Sequence, residues 1–170
     1  MSYFRLLPLL GVVALAAGCA GYQLGPSNGQ RAGERTIQVV PFVNRTPEAR
    51  LGDAVTSAVR KELQRDGTFR LATRESGDVI ITGQLTRYER REVSLVPNDV
   101  ATARDYSLSL TAQVTAKDRS SGKVLFDQPV TSLTLVRVGP DLPSAERQAL
   151  PLLATEMARR ITALAADGSW

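Results

Sequence analysis

The sequence predicts an α+β domain with the order β-α-β-β-β-α, in which two helices pack on one face of a four-stranded mixed sheet. Apolar and polar residues alternate from Tyr106 to Lys117, which is typical of a strand with one buried face. Two stretches, Leu51–Leu63 and Leu150–Leu164, carry apolar residues at the three- and four-residue spacing of amphipathic helices. Because each helix and the main strand pair has one apolar face, both helices should cover the same side of the sheet.

The first half of this pattern begins with a β-branched run, Thr36–Phe42, which predicts the first strand. The following helix is expected to have Thr46 as its cap and Pro47 in its first position, and Gly67 should end it. A short extended segment, Phe69–Leu71, precedes a strand over Asp78–Glu89 that places four residues on one side: Val79, Ile81, Gly83 and Leu85.

The second half continues as a hairpin and a final helix. Turn-forming residues from Asp118 to Lys123 join the alternating strand to a partner strand over Val124–Val138. The apolar parity of this partner strand changes along its length, which predicts a β-bulge at or near Pro129. Ser144 is expected to cap the last helix, and Pro151 should kink it or delay its regular start.

The amino terminus has the pattern of a secreted lipoprotein. Arg5 precedes an apolar run, and the small residues Ala16–Gly18 lead to Cys19, the only cysteine. This order resembles a bacterial lipobox, so we expect cleavage after Gly18 and acylation of Cys19. Several acyl chains would anchor the protein to a membrane without spanning it. Since Ala20 rather than an acidic residue follows Cys19, the resemblance to the enterobacterial sorting pattern leaves delivery to the periplasmic side of the outer membrane open.

Three regions follow from this interpretation. Residues 1–18 form the signal peptide, residues 19–35 form a lipidated flexible tether rich in glycine and polar residues, and residues 36–170 form a single α+β domain. With the signal peptide removed, 152 residues remain, enough for one domain with a hydrophobic core.

Composition argues against an enzyme. The chain has no histidine, and its one cysteine is assigned to lipid attachment, so zinc, haem and iron-sulfur sites lack their usual ligands. Histidine-based acid–base chemistry is excluded for the same reason. The mature chain holds 20 Lys and Arg against 17 Asp and Glu, an even mixture that does not indicate nucleic-acid binding. We expect no catalytic residues, no metal and no cofactor.

Five segments of the mature chain are distinctive: Cys19–Gly25, Pro41–Thr46, Glu62–Leu71, Asp78–Gly83 and Tyr106–Leu125. With an element order that covers essentially the whole mature chain, they carry a resemblance to the lipopolysaccharide-assembly lipoprotein family, LptE. It implies an outer-membrane lipoprotein that sits as a plug inside the LptD β-barrel, helps that barrel to fold, and binds lipopolysaccharide.

Lipopolysaccharide carries phosphates, which favour arginine and lysine as partners. The resemblance and this chemistry together predict six lipopolysaccharide-binding residues, in one group along a strand and another around a turn: Arg87, Arg90, Arg91, Lys117, Arg119 and Lys123. Solvated strand ends are the ordinary alternative for each of them.

Similar segments also occur in CsgG-like secretion components and LpoB-type activators of peptidoglycan synthases. The alternative function is therefore a periplasmic scaffold or activator lipoprotein that acts on a synthase or a secretion complex. Such a protein would need a long tether, whereas residues 20–35 span at most about 55 Å when fully extended. This length favours the LptE interpretation.

Overall fold

The computed structural model describes residues 32–74, 76–96, 99–137 and 141–167. The predicted signal peptide, Cys19 and Trp170 lie outside these residues. The described elements, in chain order, are β1 (Thr36–Val39), β2 (Val43–Asn44), α1 (Leu51–Asp66), β3 (Arg70–Leu71), β4 (Val79–Val96), β5 (Asp99–Asp118), β6 (Val124–Arg137) and α2 (Leu142–Asp167).

The strands form one mixed sheet in the order β3-β1-β4-β5-β6, with β2 paired to β4 beyond the end of β1. Strands β1 and β2 run parallel to β4, whereas β4, β5 and β6 form an antiparallel meander. The prediction of an α+β fold with two helices and a mixed sheet is confirmed. The predicted number of four strands is too low, because the sheet also contains the two-residue strands β2 and β3 at its parallel edge.

The core lies between the helices and one face of the sheet. Strand β5 contributes every second residue to it, from Leu108 to Ala116, each at most 1% exposed. The predicted stripe of α2 is buried at Leu150, Leu153, Met157 and Ile161. We call this side of the sheet the helix-covered face, and the opposite side the open face.

Strand pairing is interrupted between β1 and β2, and the ring of Phe42 lies at this interruption. This ring lies against Gly83 of β4 so closely that a Cβ at Gly83 would be 2.1 Å from Phe42 Cε1. The Phe42 amide donates to the Thr56 hydroxyl at 2.9 Å, which links the segment between β1 and β2 to α1. Phe42 thereby joins the parallel edge of the sheet to α1.

The predicted cap of α1 is wrong. Helix α1 begins at Leu51, and its N-cap residue Arg50 has no side-chain capping bond. The Thr46 amide and hydroxyl instead donate to Asn44 Oδ1 at 2.9 and 2.7 Å, which turns the chain five residues before the first residue of the helix. Gly67 ends the helix as predicted, with φ of 77°.

Strand β4 is longer than predicted and changes phase within its length. Leu85 pairs with Ala112 but Arg87 pairs with Thr111, so Thr86 is an extra residue, as in a β-bulge. Before this bulge odd-numbered residues such as Val79 and Ile81 lie on the helix-covered face; after it, even-numbered residues such as Tyr88 do.

The predicted bulge at Pro129 is wrong. Pairing between β5 and β6 is continuous through Pro129, which lies opposite Gln113, and the irregularity falls between Phe126 and Val124. The parity change that suggested a bulge arises because Leu133 and Leu135 lie on the open face, 55% and 72% exposed.

The start of α2 also differs from the prediction. The helix begins at Leu142, and Asp141 rather than Ser144 supplies the capping oxygen, which accepts the Ser144 amide at 2.7 Å. The helix continues through Pro151 to Asp167, so the expected delay does not occur. The Thr155 hydroxyl donates to the Pro151 carbonyl at 2.8 Å.

We expect Gly83→Ala to lower the free energy of unfolding by about 1 to 3 kcal/mol, because the added methyl group overlaps the Phe42 ring. Urea denaturation measures this change. In a Phe42→Ala background the same substitution should cost much less, since the ring is gone. If the two substitutions lowered the free energy of unfolding additively in the double variant, the proposed overlap between the added methyl group and the Phe42 ring would be contradicted.

Candidate functional site

The open face of the sheet is lined mainly by polar side chains. Strand β5 presents five hydroxyl and amide residues there: Ser107, Ser109, Thr111, Gln113 and Thr115. Cross-strand hydrogen bonds join them to β6. Thr111 and Thr131 hydroxyls lie 3.1 Å apart, and Asp127 accepts from Gln113 at 2.6 Å and from Thr115 at 3.1 Å. Neither helix covers this face, so it is available to a partner.

One end of the open face is amphipathic. Leu135 pairs with Ser107, which pairs with Arg91, so the three side chains form one row across β6, β5 and β4. Leu133, Ser109 and Glu89 form the next row. Since neighbouring strands are about 4.8 Å apart, roughly 10 Å separates the leucine and charged strands. We call this end the leucine–arginine end.

Arg87 and Arg91 lie on the open face because of the bulge at Thr86. Their side chains are 70% and 77% exposed, and the Glu89 carboxylate between them is 3.8 Å from Arg87 and 3.1 Å from Arg91. Exposed pairs of this kind contribute little to stability. Both guanidinium groups therefore remain available for an anionic ligand.

Arg90 has a different environment, because it lies on the helix-covered face. It donates to Glu146 of α2 at 3.0 Å, and its guanidinium carbon lies 5.7 Å from the centre of the Tyr106 ring. The Tyr88 hydroxyl donates to the other carboxylate oxygen of Glu146. These contacts join β4 to the first turns of α2, a structural role that the sequence did not predict.

The other predicted cations lie at the opposite end of the sheet. Lys117, Arg119 and Lys123 are exposed around the β5–β6 turn, ten residues along β5 from the partner of Arg91. Arg87 pairs with Thr111, six residues from Lys117, so at about 3.3 Å per residue roughly 20 to 30 Å separates the two groups. Five of the six predicted residues therefore form two exposed clusters, whereas Arg90 lies on the helix-covered face, and binding at either cluster remains a prediction.

Asp118 organises that turn. It accepts the Ser120 hydroxyl at 2.7 Å and the Ser121 amide at 3.0 Å, which hold the pKa of its carboxyl well below the usual range. Arg35 lies 2.5 Å from its second oxygen, so the start of the domain is tied to the turn.

No group of three potential metal ligands occurs among the described residues. Neither helix of the described chain has both the length and the apolar character needed to cross a bilayer.

Comparison with known structures finds a similar fold in three proteins, one of which is named a lipoprotein. Protein XCC0632 from Xanthomonas campestris aligns with a TM-score of 0.62 and 11% identity, over 86% of this chain and 91% of that one. Lipoprotein B from Nitrosomonas europaea gives 0.53 and 14%, over 87% and 94%. CT253 from Chlamydia trachomatis gives 0.54 and 10%, over 77% and 95%. At these identities the likeness concerns the fold alone.

The family follows from the sequence itself. The model of the lipopolysaccharide-assembly family, LptE, matches residues 34–164, which include every described strand and helix except the last three residues of α2. The chain therefore belongs to the LptE family, and the predicted resemblance is confirmed. No curated protein matches the sequence.

The Tyr88–Glu146 contact leads to a titration prediction. Partial burial and donation to the carboxylate raise the pKa of Tyr88 above its usual value near 10. Because the folded state then binds the proton more tightly than the unfolded state, this stabilisation is present below pH 10 and is lost as the pH rises through the raised pKa. Tyrosinate absorbance during alkaline titration should show one late component that Tyr88→Phe removes. An unchanged curve in that variant would contradict the assignment.

Proposed function

We propose that this protein is an outer-membrane lipoprotein, anchored through Cys19, that acts as plug and folding partner of an LptD-like β-barrel and binds lipopolysaccharide. Membership of the LptE family supports this function at the level of lipopolysaccharide assembly. The proposed contacts with a barrel and with lipopolysaccharide rest on the open face of the sheet. This face combines a row of hydroxyl and amide groups with the leucine–arginine end.

The polar part of this face suits a barrel interior. The lumen of a large transmembrane barrel is polar, so a plug needs hydrogen-bonding groups on the surface that meets it. Such groups are supplied on rigid strands rather than on loops by three residues of β5 and two of β6: Thr111, Gln113, Thr115, Asp127 and Thr131. A rigid surface loses little conformational entropy on binding, which favours a stable one-to-one complex.

The leucine–arginine end suits a ligand that is both anionic and acylated. Arg87 and Arg91 would pair with phosphate oxygens, since guanidinium forms charge-assisted hydrogen bonds with them. Leu133 and Leu135, two strands away, would contact acyl chains and thereby remove their own apolar surface from water. A lipopolysaccharide molecule offers both kinds of group within one ligand.

The barrel contact is tested by co-purification from native outer membranes through a tag after Trp170. We expect the parent chain to recover an LptD-like barrel in near one-to-one amount, and Thr111→Lys with Gln113→Lys, in the polar part of the open face, to reduce that recovery at least fivefold. Leu152→Lys is the control for an added surface lysine, because Leu152 is exposed, at 62%, but lies on α2. Recovery of a peptidoglycan synthase without a barrel would overturn the proposal.

Lipopolysaccharide binding is tested separately with purified protein. We expect Arg87→Gln with Arg91→Gln to weaken binding about tenfold or more, because two phosphate partners are lost. Lys61→Gln with Arg65→Gln removes the same charge from the exposed side of α1, outside both predicted clusters, and should change affinity less than twofold. Surface plasmon resonance on immobilised lipopolysaccharide measures both. An equal loss of affinity in the two double variants would mean that the effect arises from net charge alone, which would contradict a specific role for Arg87 and Arg91.

A further inference from the structure

The start of β1 is held against the turn between β5 and β6. Thr36, the first residue of β1, donates from its amide and its hydroxyl to the Asp78 carboxylate at 2.8 and 2.7 Å. The Arg119 amide of the turn donates to the Asp78 carbonyl at 2.8 Å, and Arg35 pairs with Asp118 of the same turn. These contacts place the entry of the chain into the domain and the β5–β6 turn at one end of the sheet. We call this end the turn end.

The turn end is the part of the domain that the chain reaches first from Cys19. A random coil as long as the predicted tether, residues 20–35, has an r.m.s. span of roughly 20 to 25 Å. This span is about equal to the roughly 20 to 30 Å that separate the turn end from the leucine–arginine end along the strands. With acyl chains on Cys19 in a bilayer, the turn end is therefore on average the nearer of the two ends.

Three cations surround the turn with exposed side chains: Lys117, Arg119 and Lys123. None of them takes part in the ion pairs found among the described residues. Both lysines are fixed by the strands, because Lys117 is the last residue but one of β5 and Lys123 directly precedes β6. The three charges are thus held close to one another at the tip of the sheet.

Carboxylates at this end are partly engaged within the domain. Asp118 accepts from Arg35 and from two serines of the turn, and Asp78 accepts from Thr36. Glu34 is exposed beside Arg35 and offsets part of the positive charge. Long cationic side chains can extend their charges away from the backbone, whereas the engaged carboxylates lie against their donors. A surface that approaches the tip of the turn therefore meets the cations first.

We propose that the turn end docks on the anionic phospholipid surface of the membrane in which Cys19 is anchored, with Lys117, Arg119 and Lys123 beside the lipid phosphates. Clustered lysine and arginine residues next to a membrane anchor are attracted by the negative surface potential of anionic lipids. The tether raises the effective concentration of this contact, so a weak individual affinity is sufficient.

This inference rests on the proposed function, because it takes the acylation of Cys19 from it. It adds an orientation to that function. The turn end faces the phospholipid head groups, and the leucine–arginine end points away from them. The turn cluster is thereby assigned to a glycerophospholipid surface, and Arg87 with Arg91 remains for lipopolysaccharide.

The test places the acylated full-length lipoprotein in nanodiscs that contain a trace of a fluorescent acceptor lipid. Because acylation occupies the sulfur of Cys19, a single introduced cysteine carries the donor dye. Val124→Cys labels the turn end and Val93→Cys labels the other end, and both positions are exposed, at 46% and 57%. In discs of phosphatidylcholine with about 30 mol% phosphatidylglycerol, we expect at least twofold higher energy transfer from position 124 than from position 93.

Charge variants test the role of the cations. Lys117→Gln with Lys123→Gln should lower energy transfer from position 124 to the value found in pure phosphatidylcholine discs. Arg45→Gln with Arg50→Gln is the matched control, because it removes the same charge from exposed positions beside β2 and the start of α1, away from the turn end. It should leave energy transfer unchanged within about a tenth.

The outcomes separate this inference from the proposed function. Mass spectrometry of the amino-terminal peptide shows whether Cys19 is acylated. Absence of the acyl mass would overturn both the anchor and the docking that rests on it. Acylated protein with equal energy transfer from the two labels, or with equal effects of the two charge variants, would overturn the docking alone and leave the anchor intact.

Discussion

Both helices lie on the same side of the sheet, and packing on that side determines the chemistry of the other. Because side chains alternate along a strand, each residue that enters the core directs its neighbours to the open face. Leu108 and Leu110 are almost completely buried, so Ser107 and Ser109 have to point away from the helices. A slip of one residue in β5 would exchange the two sets and place the hydroxyl groups in the core.

Irregularities in the strands then decide which charges reach the open face. Without the extra residue at Thr86, Arg87 and Arg91 would continue the phase of Leu85 and point toward the helices, while Arg90 would face outward. The bulge instead separates three neighbouring arginines into two exposed cations and one that is paired with Glu146. One inserted residue thus determines which arginines contact a partner and which support the fold.

The sequence predicts those parts of the fold in which one force dominates. Strand β5 has neighbours on both edges and one buried face, so its alternation is regular and was predicted correctly from Tyr106 to Lys117. Strand β6 lies at the sheet edge, where Leu133 and Leu135 remain exposed; apolar character was therefore a misleading sign of burial.

The cations of the candidate site were identifiable by type, but their division between two faces and two ends depends on a bulge and a register that periodicity does not reveal. The segment Pro41–Thr46 was recognisable as a motif, yet its structural basis, the contact of Phe42 with Gly83, joins residues far apart in the chain.

Pro129 has a consequence for the solubility of the chain. It lies within β6, a 14-residue strand at the edge of the described sheet, and it has no amide hydrogen. A long edge strand with exposed leucines would otherwise be a template on which another chain could extend the sheet. Proline interrupts the row of donors near the middle of that edge, so a growing β-ladder would lose a hydrogen bond there. The protein can therefore display apolar side chains on a long strand while limiting self-association through its backbone.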